Sequence, residues 1–306
     1  MSPGVLEGYR RIWQPRIDRA LEGILEELEC DPDVLPGLSA AMKYAVLEGG
    51  KRLRPLLALS ALRAAGGEEE RGLAAACSLE LVHAYSLVHD DLPAMDNDDF
   101  RRGKPTCHKR FGEALAILAG DGLLTHAFCV LARSMAPERV GQGVLLLARC
   151  AGPQGMVGGQ AYDIQPVEEA PTLNEVARIH QLKTAALIEA SVGLGGLLAA
   201  ASAEVLRHLQ LYGRALGLAY QIVDDLLDWT GADQTLGRPS GADESKNRRT
   251  YPRLAGYQGS RKQVLSLLVQ ARGELCGLGP QADILRALAS FVQQRLEEID
   301  PGKRGR

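Results

Sequence analysis

Apolar residues recur at helical spacing along almost the whole chain. Leu21, Ile24, Leu25 and Leu28 share one face of a first helix, which Asp31-Pro32-Asp33 ends because proline cannot continue the hydrogen-bond ladder. The same period predicts further helices over 38–48, 55–65, 70–92, 112–132, 137–151, 173–192, 203–229, 260–277 and 281–298. Thr172-Leu-Asn-Glu175, directly after Pro171, is a capping box that opens one of them. No stretch alternates convincingly as a strand. The expectation is an all-α bundle of about ten helices. At about 1.5 Å per residue the 203–229 helix is roughly 40 Å long, so the bundle is deep enough to enclose a hydrophobic chain in a central cavity.

The pattern breaks at Gly66-Gly67, 93–111, 152–171 and 231–253, all rich in Pro, Gly, Asp or Arg. None of these is a long flexible linker, and no period of about 20–50 residues repeats, which predicts a single domain over 1–306 and excludes a solenoid. One apolar run, 185–203, approaches membrane-span length. Glu189 and the glycines of VGLGGLL interrupt it, so it reads as a buried helix followed by a loop, and no membrane span is expected.

Composition narrows the class. With 46% hydrophobic residues the chain is not disordered or collagenous, and only 5% aromatic residues with few β-branched ones favour helix over sheet. A balance of 35 Lys+Arg against 38 Asp+Glu gives no whole-molecule attraction to nucleic acid or to an anionic membrane, so any anion must be held by local basic clusters. Six cysteines, Cys30, Cys77, Cys107, Cys129, Cys150 and Cys276, form no CxxC and no dense framework, and read as reduced thiols of a cytoplasmic protein. The N-terminal MSPGVLEGYRRIWQPRID carries Glu7, Arg10, Arg11 and Arg16 in place of the apolar core of a secretory signal.

Charge is concentrated in two places. LVHDDLPAMDNDDFRRGKPT puts Asp90, Asp91, Asp96, Asp98 and Asp99 within ten positions and follows them with Arg101 and Arg102. Such a knot is costly to assemble without a cation, and oxygen-only ligands point to Mg²⁺ or Mn²⁺ over zinc. The alternative is a solvated acidic loop, but the run continues directly from an apolar helix that Pro93 must stop, leaving Asp90 and Asp91 at its end while Asp96 returns from the loop. In AYQIVDDLLDWTG, Asp224 and Asp228 stand four apart and share a helical face among Ile222, Val223, Leu226 and Leu227. Two acidic motifs on separate helices suit a diphosphate held through divalent ions from opposite sides. The turn Gly49-Gly50-Lys51-Arg52-Leu53-Arg54-Pro55, the pair Arg101-Arg102, and Lys183-Thr184 add cations able to hold a second anion without metal.

These segments together resemble the trans-prenyltransferases (polyprenyl synthetases), most closely the bacterial farnesyl diphosphate synthases. The likeness runs from about Met42 to Tyr257 through GGKRLRP, HAYSLVHDDLPAMDNDDFRRGKPTCH, FGEALAILAGD, GMVGGQAYD, HQLKTAALI, GLAYQIVDDLLD and LGRPSGADESKNRRTYP. The resemblance implies the isoprenoid synthase fold, a homodimer, and Mg²⁺-dependent joining of isopentenyl diphosphate to an allylic diphosphate. It implies magnesium ligands at Asp90, Asp91 and Asp96 in the first motif and at Asp224, Asp225 and Asp228 in the second, with about two to three ions per site. Lys51, Arg54, His83 and Arg102 resemble the isopentenyl diphosphate pocket. Arg101, Lys183, Thr184, Gln221 and Arg238 resemble the clamp on the allylic diphosphate, and Asp163 lies on the cavity wall. Carbonyl oxygens at a break in the Lys183 helix, with Thr184 and Gln221, are implied to stabilise an allylic cation.

The chain departs from the family where lysines usually follow the second motif, having Arg238 and Arg248 instead. Tyr85, five residues before Asp90 and beside the small Ser86, is placed to act as the floor that limits the product to fifteen carbons. Its alternative is an ordinary core aromatic. Other readings remain: a geranylgeranyl diphosphate synthase; an HD-type metal phosphohydrolase built on His89-Asp90; a terpene cyclase, which would not need the second set of cations; and a non-catalytic partner subunit, which should have lost an aspartate motif.

Overall fold

The computed structural model describes residues 3–165, 171–230 and 249–299. In chain order these form α1 (Pro3–Glu29), α2 (Pro36–Leu47), α3 (Leu53–Ala64), α4 (Glu69–Asp90), a hairpin of β1 (Phe100–Arg101) and β2 (Lys104–Pro105), α5 (Cys107–Phe111), α6 (Glu113–Ser134) and α7 (Val140–Ala151). There follow α8 (Met156–Ile164), α9 (Leu173–His180), a π-helical turn (Gln181–Ala185), α10 (Ala186–Leu198), α11 (Ala203–Thr230), α12 (Tyr251–Glu274) and α13 (Asp283–Glu297). The all-α expectation holds, as do the stop after Asp90 and the capping box. Thr172 Oγ1 accepts from the Glu175 N–H at 3.3 Å, while the Glu175 carboxylate accepts from the Thr172 N–H at 2.7 Å.

The core is centred on α3 and α10, whose side chains are buried almost throughout. They pack on each other, with α4 against α3, α6 outside α4, and α11 then α12 on the far side of α10. The close spacing depends on glycine. A Cβ at Gly195 would run into the backbone oxygen of Ala58 on α3, and one at Gly217 would lie 2.6 Å from the Cα of Ala185. Gly195, in the apolar run at 185–203, thus lets α10 approach α3, and Gly217 lets α11 approach the π turn.

Four local expectations change. The segment 152–171, read as a joint, contains α8; its glycine-rich GMVGGQAYD looks like a loop, but Gly159 lies against the backbone of Lys183, where a Cβ would clash. The helix expected over 173–192 is α9, a π turn and α10 in succession, reaching Leu198. The helix expected over 260–277 begins at Tyr251 and is bent at Gly256, whose φ is 67°. The joint at 93–111 holds a two-residue hairpin, made possible by left-handed Arg102 and Gly103 at its turn, φ 53° and 76°, and the short α5.

Among the described residues one helix, α6, is long and apolar enough to cross a membrane by length and composition, with a mean hydropathy of 1.8 over its best window. It packs against α4, α2, α5 and α7. Its outer face leaves Ile117 and Leu118 exposed, as Leu145 is on α7.

Candidate active site

The two acidic motifs are positioned by different devices. α4 ends at Asp90, the chain turns at Pro93, and the Asp96 N–H donates to the Asp90 carbonyl at 2.8 Å. That bond brings Asp90 and Asp96 to the same rim of a cavity of about 980 Å³. Asp91 lies behind them, 3% exposed. Its two oxygens accept from Arg101, from Nε at 2.9 and 3.0 Å and from Nη2 at 2.6 Å, a bidentate pair that fixes the Arg101 guanidinium on the cavity wall.

The second motif sits within a continuous helix. α11 presents Asp224 and Asp228 to the same cavity, with Gln221 one turn earlier. Burial pushes the Asp224 carboxyl up to about 6, against the pull of Arg295, whose Nη1 lies 2.9 Å from it. Asp225, 3% exposed, has both oxygens engaged: His180 Nε2 at 2.7 Å, the Tyr251 N–H at 2.9 Å, and Gln221 Nε2 at 3.0 Å. In each motif the first aspartate lines the cavity, while the second is nearly fully buried and has both oxygens engaged by protein donors.

Cations line the same cavity. Gly49 and Gly50, with φ of 97° and 137°, turn the chain so that Lys51 and Arg54 line the cavity. Arg52, itself left-handed at φ 50° and 4% exposed, points away from this role and bonds to Asp18 at 2.7 Å and Glu80 at 3.0 Å. Burial, together with their cationic neighbours, lowers the affinity of Arg54 and Arg102 for their protons, and the Nε of Arg54 is buried without a hydrogen-bond partner. His83 is held well below the usual imidazole range by burial and by Arg54, Arg102, Arg101 and Arg52, so it enters the site neutral. A pocket that strains its own cations apart is a pocket that gains most from an anion.

The π turn widens the backbone by one residue, the Ala186 N–H reaching back to the Gln181 carbonyl. It directs Lys183 and Thr184 to the cavity: Lys183 Nζ meets Asp163 of α8 at 2.7 Å, and Thr184 Oγ1 donates to Gln221 Oε1 at 2.7 Å. The break expected at Lys183 is this turn.

The sequence matches the polyprenyl synthetase family over residues 36–275, most of the chain. The chain belongs to the polyprenyl synthetase family. It is 47% identical to the farnesyl diphosphate synthase of Geobacillus stearothermophilus over 284 residues, 91% of this chain and 94% of the relative. It is 42% identical to geranylgeranyl pyrophosphate synthase 9, chloroplastic, of Arabidopsis thaliana over 287 residues, 90% of this chain and 80% of the relative. The crystal structure of an FPP/GFPP synthase from Zymomonas mobilis superposes with a TM-score of 0.84 at 35% identity, covering 95% of this chain and 99% of that one.

In this polyprenyl synthetase Tyr85 and Ser86 of α4 line the same cavity as Asp90. Tyr85 is 5% exposed; its ring meets His89 edge-on with centroids 5.7 Å apart, and burial with the nearby Asp90 pushes its hydroxyl up to about 12. Ser86 is tied to its own helix through the His83 carbonyl at 2.9 Å. His89 turns to α6, its Nε2 3.0 Å from the Ile117 carbonyl oxygen, which takes it out of an HD-type ligand pair with Asp90.

A metal ion would find oxygen donors only. Among the described residues no three His, Cys, Asp or Glu side chains are gathered closely enough to hold an ion unaided. That suits Mg²⁺, which binds through one or two carboxylates and takes its remaining ligands from water and substrate phosphate. Asp224, partly exposed at the cavity, could supply one such carboxylate.

Arg238 and Arg248 lie outside the described residues. The structure adds Arg295, which sequence reading did not single out. Its signal was a charge within the apolar stripe Leu288, Val292, Leu296 of α13, where it is 8% exposed. His180 and Glu80, 6% and 4% exposed, were likewise missed as single polar residues.

Proposed function

We propose that the protein is a farnesyl diphosphate synthase, condensing isopentenyl diphosphate with dimethylallyl or geranyl diphosphate. The observation that carries this reading is one cavity lined by Asp90 and Asp96, by Asp224 and Asp228, and by the cations Lys51, Arg54, Arg101, Arg102 and Lys183, with Tyr85 in its wall. Asp90 and Asp96 from one side, and Asp224 and Asp228 from the other, would hold Mg²⁺. When bound, the metal supplies charge neutralisation for the departing diphosphate. Arg101 and Lys183 grip the allylic diphosphate, and Lys51, Arg54, His83 and Arg102 grip isopentenyl diphosphate.

As the allylic carbon–oxygen bond breaks, its electron pair leaves with the diphosphate, and the oxygens of Thr184 and Gln221 face the carbon left positive. The isopentenyl double bond then forms the new carbon–carbon bond, and a proton is lost to the departed diphosphate. The apolar walls keep water from the cation. A cytoplasmic homodimer is part of the proposal; the exposed apolar Ile117 and Leu118 of α6 and Leu145 of α7 support a second copy there.

Both farnesyl and geranylgeranyl synthases stand among the relatives, so product length is the test. Purified protein is incubated with Mg²⁺, labelled isopentenyl diphosphate and each allylic diphosphate in turn. A fifteen-carbon product is expected from dimethylallyl and geranyl starters; a dominant twenty-carbon product would favour the geranylgeranyl reading.

A further inference from the structure

Asp225 is a carboxylate bordering the cavity with both oxygens bonded. Three donors from three parts of the fold converge on it: His180 at the end of α9, the Tyr251 N–H at the start of α12, and Gln221 one turn back on α11. An ionised carboxylate only accepts hydrogen bonds, and that fixes the direction of everything attached to it. Gln221 must offer its NH₂ to Asp225, so its oxygen faces the other way and accepts from the Thr184 hydroxyl at 2.7 Å. The Thr184 proton is thereby committed to Gln221, and what Thr184 and Gln221 have left for the cavity is oxygen lone pairs. With a neutral amide in place of Asp225, Gln221 is free to turn over, Thr184 can accept instead of donate, and N–H and O–H dipoles face the reacting carbon.

We propose that Asp225 is a positioning residue and not a metal ligand: through Gln221 it sets the polarity of the Thr184–Gln221 pair so that only acceptors face the developing cation. His180 and the Tyr251 N–H hold Asp225 in place for this task. Asp224, one residue earlier, carries the metal-facing role alone at this end of the motif. The inference rests on the prenyl-transfer reading for its kinetic part, while its metal part stands independently of any substrate.

Both parts are tested on the full chain. Mn²⁺ binding in the presence of inorganic diphosphate is followed by electron paramagnetic resonance for wild type, Asp224→Asn and Asp225→Asn. Asp224→Asn is expected to weaken Mn²⁺ binding by about tenfold or more, and Asp225→Asn to leave it within about twofold of wild type. If Asp225→Asn weakens it as much as Asp224→Asn, the proposal is wrong. In turnover, Asp225→Asn should lower kcat by more than about tenfold with both KM values within about twofold.

Because the effect passes through Thr184, it should nearly vanish in a Thr184→Val background. Additive losses in that double-mutant cycle would overturn the proposal. Should Asp225→Asn not fold, Gln221→Met keeps the Asp225 anchor and breaks only the link; a wild-type kcat in that variant would equally overturn it. Absence of wild-type turnover with isopentenyl and allylic diphosphates would instead sink the prenyl-transfer reading, leaving the Mn²⁺ comparison intact.

Discussion

The first acidic motif is made by a helix ending, the second by a helix continuing. Asp90 and Asp96 meet because Pro93 stops α4 and a single backbone bond folds the loop back. Asp224 and Asp228 meet because they are one turn apart on the unbroken α11. The first pair is set by a loop; the second is preset on one helix face, with Asp224 already paired to Arg295. The site joins a loop-made carboxylate face to a helix-made one.

The largest expected effects test whether both faces are needed. Asp90→Ala and Asp224→Ala should each lose more than about tenfold in turnover, at least about 1.4 kcal/mol of transition-state stabilisation, while circular dichroism stays helical. Near-normal turnover of either folded variant at saturating Mg²⁺ would reduce the site to one motif.

Next come the two anion sites flanking the motifs. Arg54→Ala or Lys51→Ala should raise KM for isopentenyl diphosphate by about tenfold with less effect on the allylic partner, and Lys183→Ala the reverse, as expected for loss of a charged contact to a single ligand. Equal effects on both substrates in initial-rate kinetics would merge the two sites into one.

How far the sequence anticipated this contrast differs between the two motifs. Both aspartate motifs were legible because charge clusters stand out against apolar periodicity, and Pro93 made the end of α4 readable. The division of labour within each Asp-Asp pair was not, since it depends on partners outside the motif: Arg101 on β1, and His180 and Tyr251 on other helices. Arg295 is separated from Asp224 by 71 residues and left only an isolated charge on α13 as its trace. α8 was hidden because glycines needed for close packing on the π turn have the composition of a loop.

A smaller change is expected at Tyr85, the proposed floor. Tyr85→Ala should shift the product from fifteen carbons toward twenty or more, read by chromatography of the dephosphorylated product. An unchanged distribution from a folded, active variant would make Tyr85 an ordinary core aromatic.

The smallest effect tests the helix-made face by stability alone. The Asp224 carboxyl is raised from its ordinary 3.8 to about 6, first by burial. A group whose folded value is raised contributes stability that is complete below its unfolded value and is lost as pH rises through its folded one. In metal-free protein Asp224→Asn should therefore melt higher than wild type at pH about 7, with the difference shrinking as pH falls through about 6 toward 4. A variant that melts lower at neutral pH would mean that the Arg295 pair outweighs the burial cost.

The central claim is that the first aspartate of each pair, and not the second, meets metal on one shared diphosphate. Anomalous diffraction from crystals grown with Mn²⁺ and inorganic diphosphate tests it directly. The account predicts Mn²⁺ within coordination distance of Asp90 and Asp96 on one side and of Asp224 on the other, all touching the same diphosphate, with Asp91 still on Arg101 and Asp225 still on His180 and Gln221. Mn²⁺ coordinated by Asp91 or Asp225, or a diphosphate attached to one motif alone, would contradict it.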